Sequence, residues 1–523
     1  MSDLNELSQV QTLRGVPSRQ HSLAKEASVQ ASWDGPSDPE NPFNWSIWKK
    51  RLVTFLALLA TFTTLIDGTI ITAAHEAINE EFGVSDANFP NSYWPVATWA
   101  IGGAISVLII LPVMEDFGVR ISFLGTWLVY ICFIIPQAVS QSFAALCVTR
   151  FFAGACVSVL ANTAAGVISN TWEDEVTRTI PVSFYITAYL CGTSLGPVIG
   201  GAIIASLNWR WIGYIQLIFY SALFPVYFFF FAETRGDVIL LKRQQKQNKA
   251  AGTHLHKTNT MNHAQLLSKL KISIKRPLYM LFTEPVVFFI TLWSAFSVGT
   301  IYMATQSVEQ VFVGLYDWSI PSACYVQAAI VLGQLAGWPF TLISRRFFIN
   351  SATTNTEKPG SYLPEARLYV SIPGSFFGLT GGLFVYAWTS YPDLPWIAPA
   401  VGIFMIGAGT TIIMDALASY IVDGYAAYAG SAIAAVILGE NIFSAFLPLA
   451  TMSMYDRLGY NWASTLLGFV ALALSFVPVV FVWKGSSIRA RSKFMVSGGQ
   501  MGLGQEEKTI TVTRGQSETK VDV

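Results

Sequence analysis

Apolar stretches of about 18 or more residues with almost no Lys, Arg, Asp or Glu recur along this chain. A backbone in hydrocarbon has no water to bond, so such a stretch must pair its own N–H and C=O groups as a helix, and about 20 residues cross a ~30 Å core. By that length, and by Gly, Pro and charge punctuation, the first part reads as spans at about 52–74, 94–111, 121–139, 144–168, 181–204 and 211–231. The second part reads as spans at about 285–304, 322–343, 368–388, 396–421, 429–451 and 462–483. The expected fold class is an all-α membrane protein with 12 transmembrane helices in two six-helix halves. Composition agrees: charged residues are 12% of the 523 and mean hydropathy is +0.47, outside the range of soluble domains. Net charge is zero and singles out no partner; with most of the chain in lipid, the bilayer is the expected macromolecular partner and nucleic acid is not.

Residues 1–47 are polar and rich in Ser, Pro and Asp, which suits a disordered tail and not a cleaved signal peptide. The halves are expected at 48–231 and 281–484, joined by a central loop at 232–280 and followed by a second disordered tail at 485–523. Lys and Arg cluster in alternate loops: Lys49, Lys50 and Arg51, then Arg120, Arg178, the central loop, Arg345, Arg346 and Arg367, and finally Lys484, Arg489, Arg491 and Lys493. The positive-inside rule then places both termini in the cytoplasm, with Arg210 and Arg457 as exceptions on the other side. Glu76, Glu80, Glu81 and Asp86 face outward, and the sequon at Asn44 lies on the side that is not glycosylated. In the central loop Leu266, Leu270 and Ile274 share a helical face while Lys269, Lys271 and Lys275 point elsewhere, the pattern of a helix lying on the inner leaflet; a solvated linker is the alternative.

The five cysteines lie in or beside apolar stretches without C-x-x-C spacing and read as packing residues. Of the five histidines only His75 adjoins a span, so no metal site is expected. No G-x-x-x-x-G-K-[ST] segment is present. With no catalytic constellation either, neither a cofactor nor an enzyme activity is expected.

Charges inside a membrane are costly, which makes Asp67, Arg150, Asp415 and Glu440 functional candidates, with structural ion pairing or reach to water as the alternatives. At 1.5 Å per residue Asp67 lies about 22 Å from the inner end of its span and Arg150 about 10 Å from the outer end of its own. In a ~30 Å core the two depths nearly coincide, so they are expected to pair. Glu440 sits near mid-span and is expected to face a cavity, whereas Asp415 is near the inner end and reads as an edge residue. Trp94, Trp211, Trp396, Trp462 and Trp483 mark span ends. Within the spans Trp293, Tyr302, Tyr185, Tyr189 and Phe443 are candidates for an apolar, stackable pocket or for plain packing.

In the fifth span Gly192, Gly196 and Gly200 recur at every fourth residue, a helix face without side chains that admits a neighbouring backbone, and Pro197 bends the helix. With Gly201, the run resembles the antiporter motif of drug:proton exporters of the major facilitator superfamily. The loop from Pro112 to Arg120 is similar to that superfamily's G-x-x-x-D-x-x-G-R-[RK] signature, with Glu115, Gly118 and Arg120 in register and Val119 in place of its first Arg. Arg150 to Gly154 resembles its R-x-x-x-G motif, and Asp38 to Trp45, Pro364 to Leu368 and Tyr420 to Tyr425 resemble its fungal 12-span multidrug and polyamine branch. Glu440 stands where that branch leads one to expect Arg, and Gln306 where it leads one to expect Glu.

The resemblance implies a monomeric plasma-membrane exporter of drugs, toxins or secondary metabolites, driven by protons through alternating access. Asp67 and Arg150 are then the proton-coupling candidates. Glu440, Asn441, Gln306, Tyr302, Trp293 and Tyr189 are the substrate-binding candidates, and Glu115, Gly118 and Arg120 form a cytoplasmic latch between the halves. An uptake permease of the same fold is one alternative, since Glu233 to Gly236 faintly matches a sugar-porter signature; a non-transporting membrane sensor is the other.

Overall fold

In the computed structural model, residues 33–86, 89–250, 263–355 and 360–496 are described. Among them the chain forms helices and turns and no strands. The first six spans are Ile47–Phe82, Asn91–Ile110, Val119–Ala138, Phe143–Thr171, Glu175–Ile204 and Arg210–Phe230. The next four are Pro285–Tyr316, Ile320–Thr354, Pro364–Thr389 and Ile397–Tyr425. A last helical run, Ala429–Arg491, is two spans joined at Gly459, whose φ of 75° and ψ of 160° break the helix there. A φ of that sign is readily available only to glycine. Among the described residues the count is therefore twelve spans.

Each half has its own buried cluster: Phe123, Trp127, Tyr130, Tyr220 and Tyr227 lie at the centre of the first, and Ile290, Trp293, Leu379, Tyr420 and Tyr455 in the second. Lipid tails offer helices no hydrophobic reward for meeting, so contact depends on small residues that let backbones approach. A Cβ added at Gly102 would lie 2.0 Å from the Phe151 carbonyl oxygen, where spans 2 and 4 cross, and one at Gly154 would lie 2.0 Å from that of Trp99. Spans 8 and 10, the matching pair in the second half, meet in the same way at Gly333 and Gly407.

Spans 1 and 7 run further than the apolar stretches suggested, to Phe82 and Tyr316, because polar residues of the extensions pair with protein. Glu81 accepts from Trp209 Nε1 at 2.6 Å and from Arg210 Nη2 at 2.5 Å. That pairing also accounts for Arg210 on the otherwise Lys- and Arg-poor end.

Two segments expected to be disordered are ordered in part. Residues 33–45 fold onto the helix Gly236–Ala250: Arg243 pairs with Asp34 and bonds Asp38 Oδ2 at 2.7 Å. The backbone N–H groups of Asp34 and Glu40, together with Arg243, hold the Asp38 carboxyl below its ordinary pKa. Beyond position 485 the chain stays helical to Arg491, and Arg489 pairs with Glu365. The rest of both tails, and residues 251–262 of the central loop, lie outside the described residues. The expected inner-leaflet segment is a helix, His263–Thr283, with Lys271 and Lys275 exposed; the side chains of Leu266 and Lys269 are outside the described ones.

Candidate functional site

Asp67 and Arg150 meet as the depth arithmetic requires. Arg150 Nη1 lies 2.9 Å from Asp67 Oδ1, with the side chains 1% and 0% exposed. Each is saturated by other partners: Arg150 also donates to the carbonyls of Asp67 (2.8 Å), Gly68 (2.9 Å) and Pro95 (3.2 Å). Asp67 in turn accepts from Trp99 Nε1 at 2.9 Å and Gln216 Nε2 at 3.1 Å. Removing one partner of such a buried pair leaves an uncompensated charge, typically at a cost of ~3–5 kcal/mol.

The glycines of span 5 bring span 1, and so Asp67, against it. A Cβ at Gly192 would fall 2.4 Å from the Phe62 carbonyl oxygen, at Gly196 2.1 Å from Thr69 Oγ1, and at Gly200 2.3 Å from the Ile70 carbonyl oxygen. Pro197, inside the same helix, is buried with them. Gly201 faces the other half, where its Cβ would lie 2.7 Å from that of Cys324 in span 8.

A cavity of about 150 Å³ lies between the halves. Its deep end holds Glu440, Ser294, Met414, Tyr185 and Tyr189, and toward the end that carries the chain termini it reaches Glu175, Arg178, Thr179, Arg367 and Asp423. Ser294 Oγ donates to Glu440 Oε1 at 2.5 Å, and Tyr185 Oη donates to Asn162 Oδ1 at 3.3 Å. Arg367 ties three spans together at that end, bonding Asp423 at 2.9 Å and, across the halves, Thr179 Oγ1 at 3.1 Å. At the opposite end the cavity is closed: besides the Gly201 and Cys324 contact, His75 Nε2 of span 1 lies 3.4 Å from Glu309 Oε1 of span 7.

The substrate-binding candidates divide. Glu440 and Tyr189 line this cavity. Trp293 is fully buried in the core of the second half, where it lines no part of the cavity. Tyr302 and Gln306, 3% exposed each, are likewise enclosed in span 7. Asn441 points at span 2, where a Cβ on Gly103 would lie 2.7 Å from its Oδ1. Phe443 packs against Gly299. The physical reason is that spans enclosed by other spans are apolar on every face, so spacing along them does not reveal which face meets the cavity. Asp415 is buried and not an edge residue, at 3% exposure. Arg367 and Asp423 were overlooked as partners, although both stand in quoted motifs, carry opposite charge and fall at the same membrane end.

A family model described as Major Facilitator Superfamily matches residues 56–448. The chain belongs to the major facilitator superfamily. Among curated relatives, the citrinin biosynthesis cluster transporter mrr1 of Monascus ruber is 31% identical, over 88% of this chain and 91% of its own. The efflux pump MFS2 of Trichophyton rubrum is 33% identical, over 88% of this chain and 76% of its own. A solved structure of the proton:xylose symporter XylE is similar in fold, with a TM-score of 0.60 at 15% identity, covering 84% of this chain and 96% of that one.

In this superfamily member the loop signature between spans 2 and 3 is anchored within its own half. Gly118, at φ 100°, precedes span 3. The Glu233 carboxylate accepts from the backbone N–H groups of Val119 and Arg120 at 3.0 and 3.1 Å, closing the helix start. Arg120 Nη2 donates to the Phe228 carbonyl at 2.8 Å, also in the first half. Bonds between the halves at this end, among the described residues, include that of Arg367 to Thr179 and that of Arg345, whose Nε donates to the Val176 carbonyl at 3.2 Å. The Glu115 side chain lies outside the described residues.

Proposed function

We propose that this transporter exports small organic molecules, such as drugs, toxins or secondary metabolites, in exchange for protons. The observation that carries the reading is a cavity that runs from Glu440 at its deep end to Glu175, Arg178 and Arg367 at the Lys- and Arg-rich end, while contacts between the halves shut the other end. By the positive-inside rule the Lys- and Arg-rich end faces the cytoplasm, so substrate enters from inside and rocking of the halves presents it outside. The names of the Monascus and Trichophyton relatives support a role in efflux linked to secondary metabolism. One proton moving inward through 100 mV contributes ~2.3 kcal/mol, and a pH gradient adds to that. The working unit is a monomer in the plasma membrane, with both termini cytoplasmic.

In energised inside-out vesicles, accumulation of ethidium, an aromatic cation that suits the cavity, is expected to require the full chain and to collapse with a protonophore. Accumulation that survives the protonophore removes proton coupling from the reading; energy-driven loss of ethidium from the vesicles reverses the direction.

Asp67, held by Arg150, is the proposed proton carrier, and Glu440 the contact for substrate, with Tyr185 and Tyr189 flanking it. Glu440→Gln keeps a group that accepts from Ser294 but removes the charge. It is expected to weaken a cationic substrate by about tenfold, a charged hydrogen bond being worth ~1.5–3 kcal/mol, and to change a neutral one little. Competition between a cation and a neutral analogue in a binding assay measures this, and equal losses for both sink the assignment.

A further inference from the structure

Gln137, near the end of span 3 opposite the chain termini, is 6% exposed, and its Nε2 has no hydrogen-bond partner among the described residues. It lines a small cavity wholly inside the first half, with Arg150 and Gln216 on one side and Leu146, Trp209 and Ile212 on the other. The free space there admits about one water, and among largely apolar walls Gln137, Gln216 and Arg150 supply the polar groups that would hold it. Gln216 connects this space to Asp67, through its 3.1 Å bond to Oδ1. On the far side Trp209 and Arg210 hold Glu81, whose side chain is 37% exposed. Arg210 Nη1 also donates to the carbonyl of Ala138, the residue after Gln137, at 3.2 Å. Polar groups are thus spaced between solvent and Asp67 apart from the central cavity, which neither Asp67 nor Arg150 lines.

We propose that this space holds a relay water through which protons reach Asp67 from the outer face, with Gln137 as the anchor of the water and Glu81, Trp209 and Arg210 as the cap of the path. The inference rests on the reading of Asp67 as proton carrier. A proton arriving on the water passes to the Asp67 carboxylate when the Gln216 side chain swings from Oδ1; the water is left neutral and the carboxyl is protonated. Arg150 keeps its bonds to the carbonyls of Asp67, Gly68 and Pro95, so its charge remains solvated after the transfer. Arg150 from span 4 is the charged group facing Asp67, Trp99 from span 2 and Gln216 from span 6 bond it, and the phenols of Tyr130 and Tyr220 lie nearby. Gln137 and Gln216 are positioning residues.

The test is an acid jump on the Glu81 face of oriented proteoliposomes holding the full chain. The infrared band of a newly protonated carboxyl is followed and assigned to Asp67 by its loss in Asp67→Asn. Gln137→Leu is expected to slow the appearance of that band by about tenfold, while Gln137→Asn, which keeps an N–H donor, restores the rate to within about twofold. Glu81→Gln, which keeps an oxygen to accept from Trp209 or Arg210, is expected to slow it by about threefold. A band that Asp67→Asn leaves in place overturns Asp67 as carrier and the relay with it. A band lost in Asp67→Asn but formed at the ordinary rate in both Gln137→Leu and Glu81→Gln overturns the relay alone.

Discussion

Asp67→Asn is expected to abolish proton-driven export while leaving substrate binding and downhill exchange in place. The amide is close in shape to the carboxylate and still offers one acceptor, but it cannot take up or release a proton near neutral pH. Arg150 retains three carbonyl partners in the variant, which solvate its charge without neutralising it and so offset part of the ~3–5 kcal/mol that losing a buried counter-charge costs. The new NH₂ group must, however, face one of the donors now bonding Asp67, namely Trp99, Gln216 or Arg150. An unmade buried hydrogen bond costs ~1–3 kcal/mol, so a lower melting temperature accompanies the loss of coupling without loss of fold. Substrate efflux and the accompanying alkalinisation, recorded together in proteoliposomes, measure the effect. Undiminished proton-coupled export by Asp67→Asn removes the residue from the role, and loss of coupling in Glu440→Gln alone exchanges the two assignments.

Gly196→Leu is expected to eliminate transport almost completely while the chain still inserts. Atoms within 3 Å of a Cβ at Gly196 include the Ile70 amide nitrogen at 2.7 Å and the Ile66 carbonyl oxygen at 2.8 Å. Backbone of an adjoining span cannot swing aside as a flexible side chain does. Overpacking costs ~1–3 kcal/mol even where side chains adjust, and here span 1 must move and carry Asp67 with it. Insertion depends on apolarity, which Leu increases. Gly125→Leu in span 3 is the matched control, because a Cβ there meets nothing within 4 Å. Membrane yield equal to the parent with no transport for Gly196→Leu, and near-normal transport for Gly125→Leu, is the expected pair. Normal transport by Gly196→Leu contradicts the close approach of spans 1 and 5.

Hydrocarbon thickness fixes how long and how apolar a span must be, so the sequence by itself determined the helical class and the twelve crossings. Where a break was needed within a long apolar run, Gly459 supplied it. The Asp67 and Arg150 pair was also legible, because a charge inside the membrane needs a partner at its own depth and depth follows from residue count. The Gly192, Gly196 and Gly200 face showed where two backbones would touch, since absence of a Cβ is a property of the sequence. Which side chains meet the cavity was decided only by the tertiary structure. Trp293 and Tyr189 are equally aromatic and comparably placed within their spans, yet one is sealed in the core of the second half and the other lines the space between halves. Helix rotation in lipid is set by packing against neighbouring spans, so an enclosed span that is apolar on every side carries no periodic mark of its cavity face. The contacts that close one end, His75 with Glu309 and Gly201 with Cys324, likewise join residues far apart in the chain. Their meeting depends on how the two halves tilt against each other.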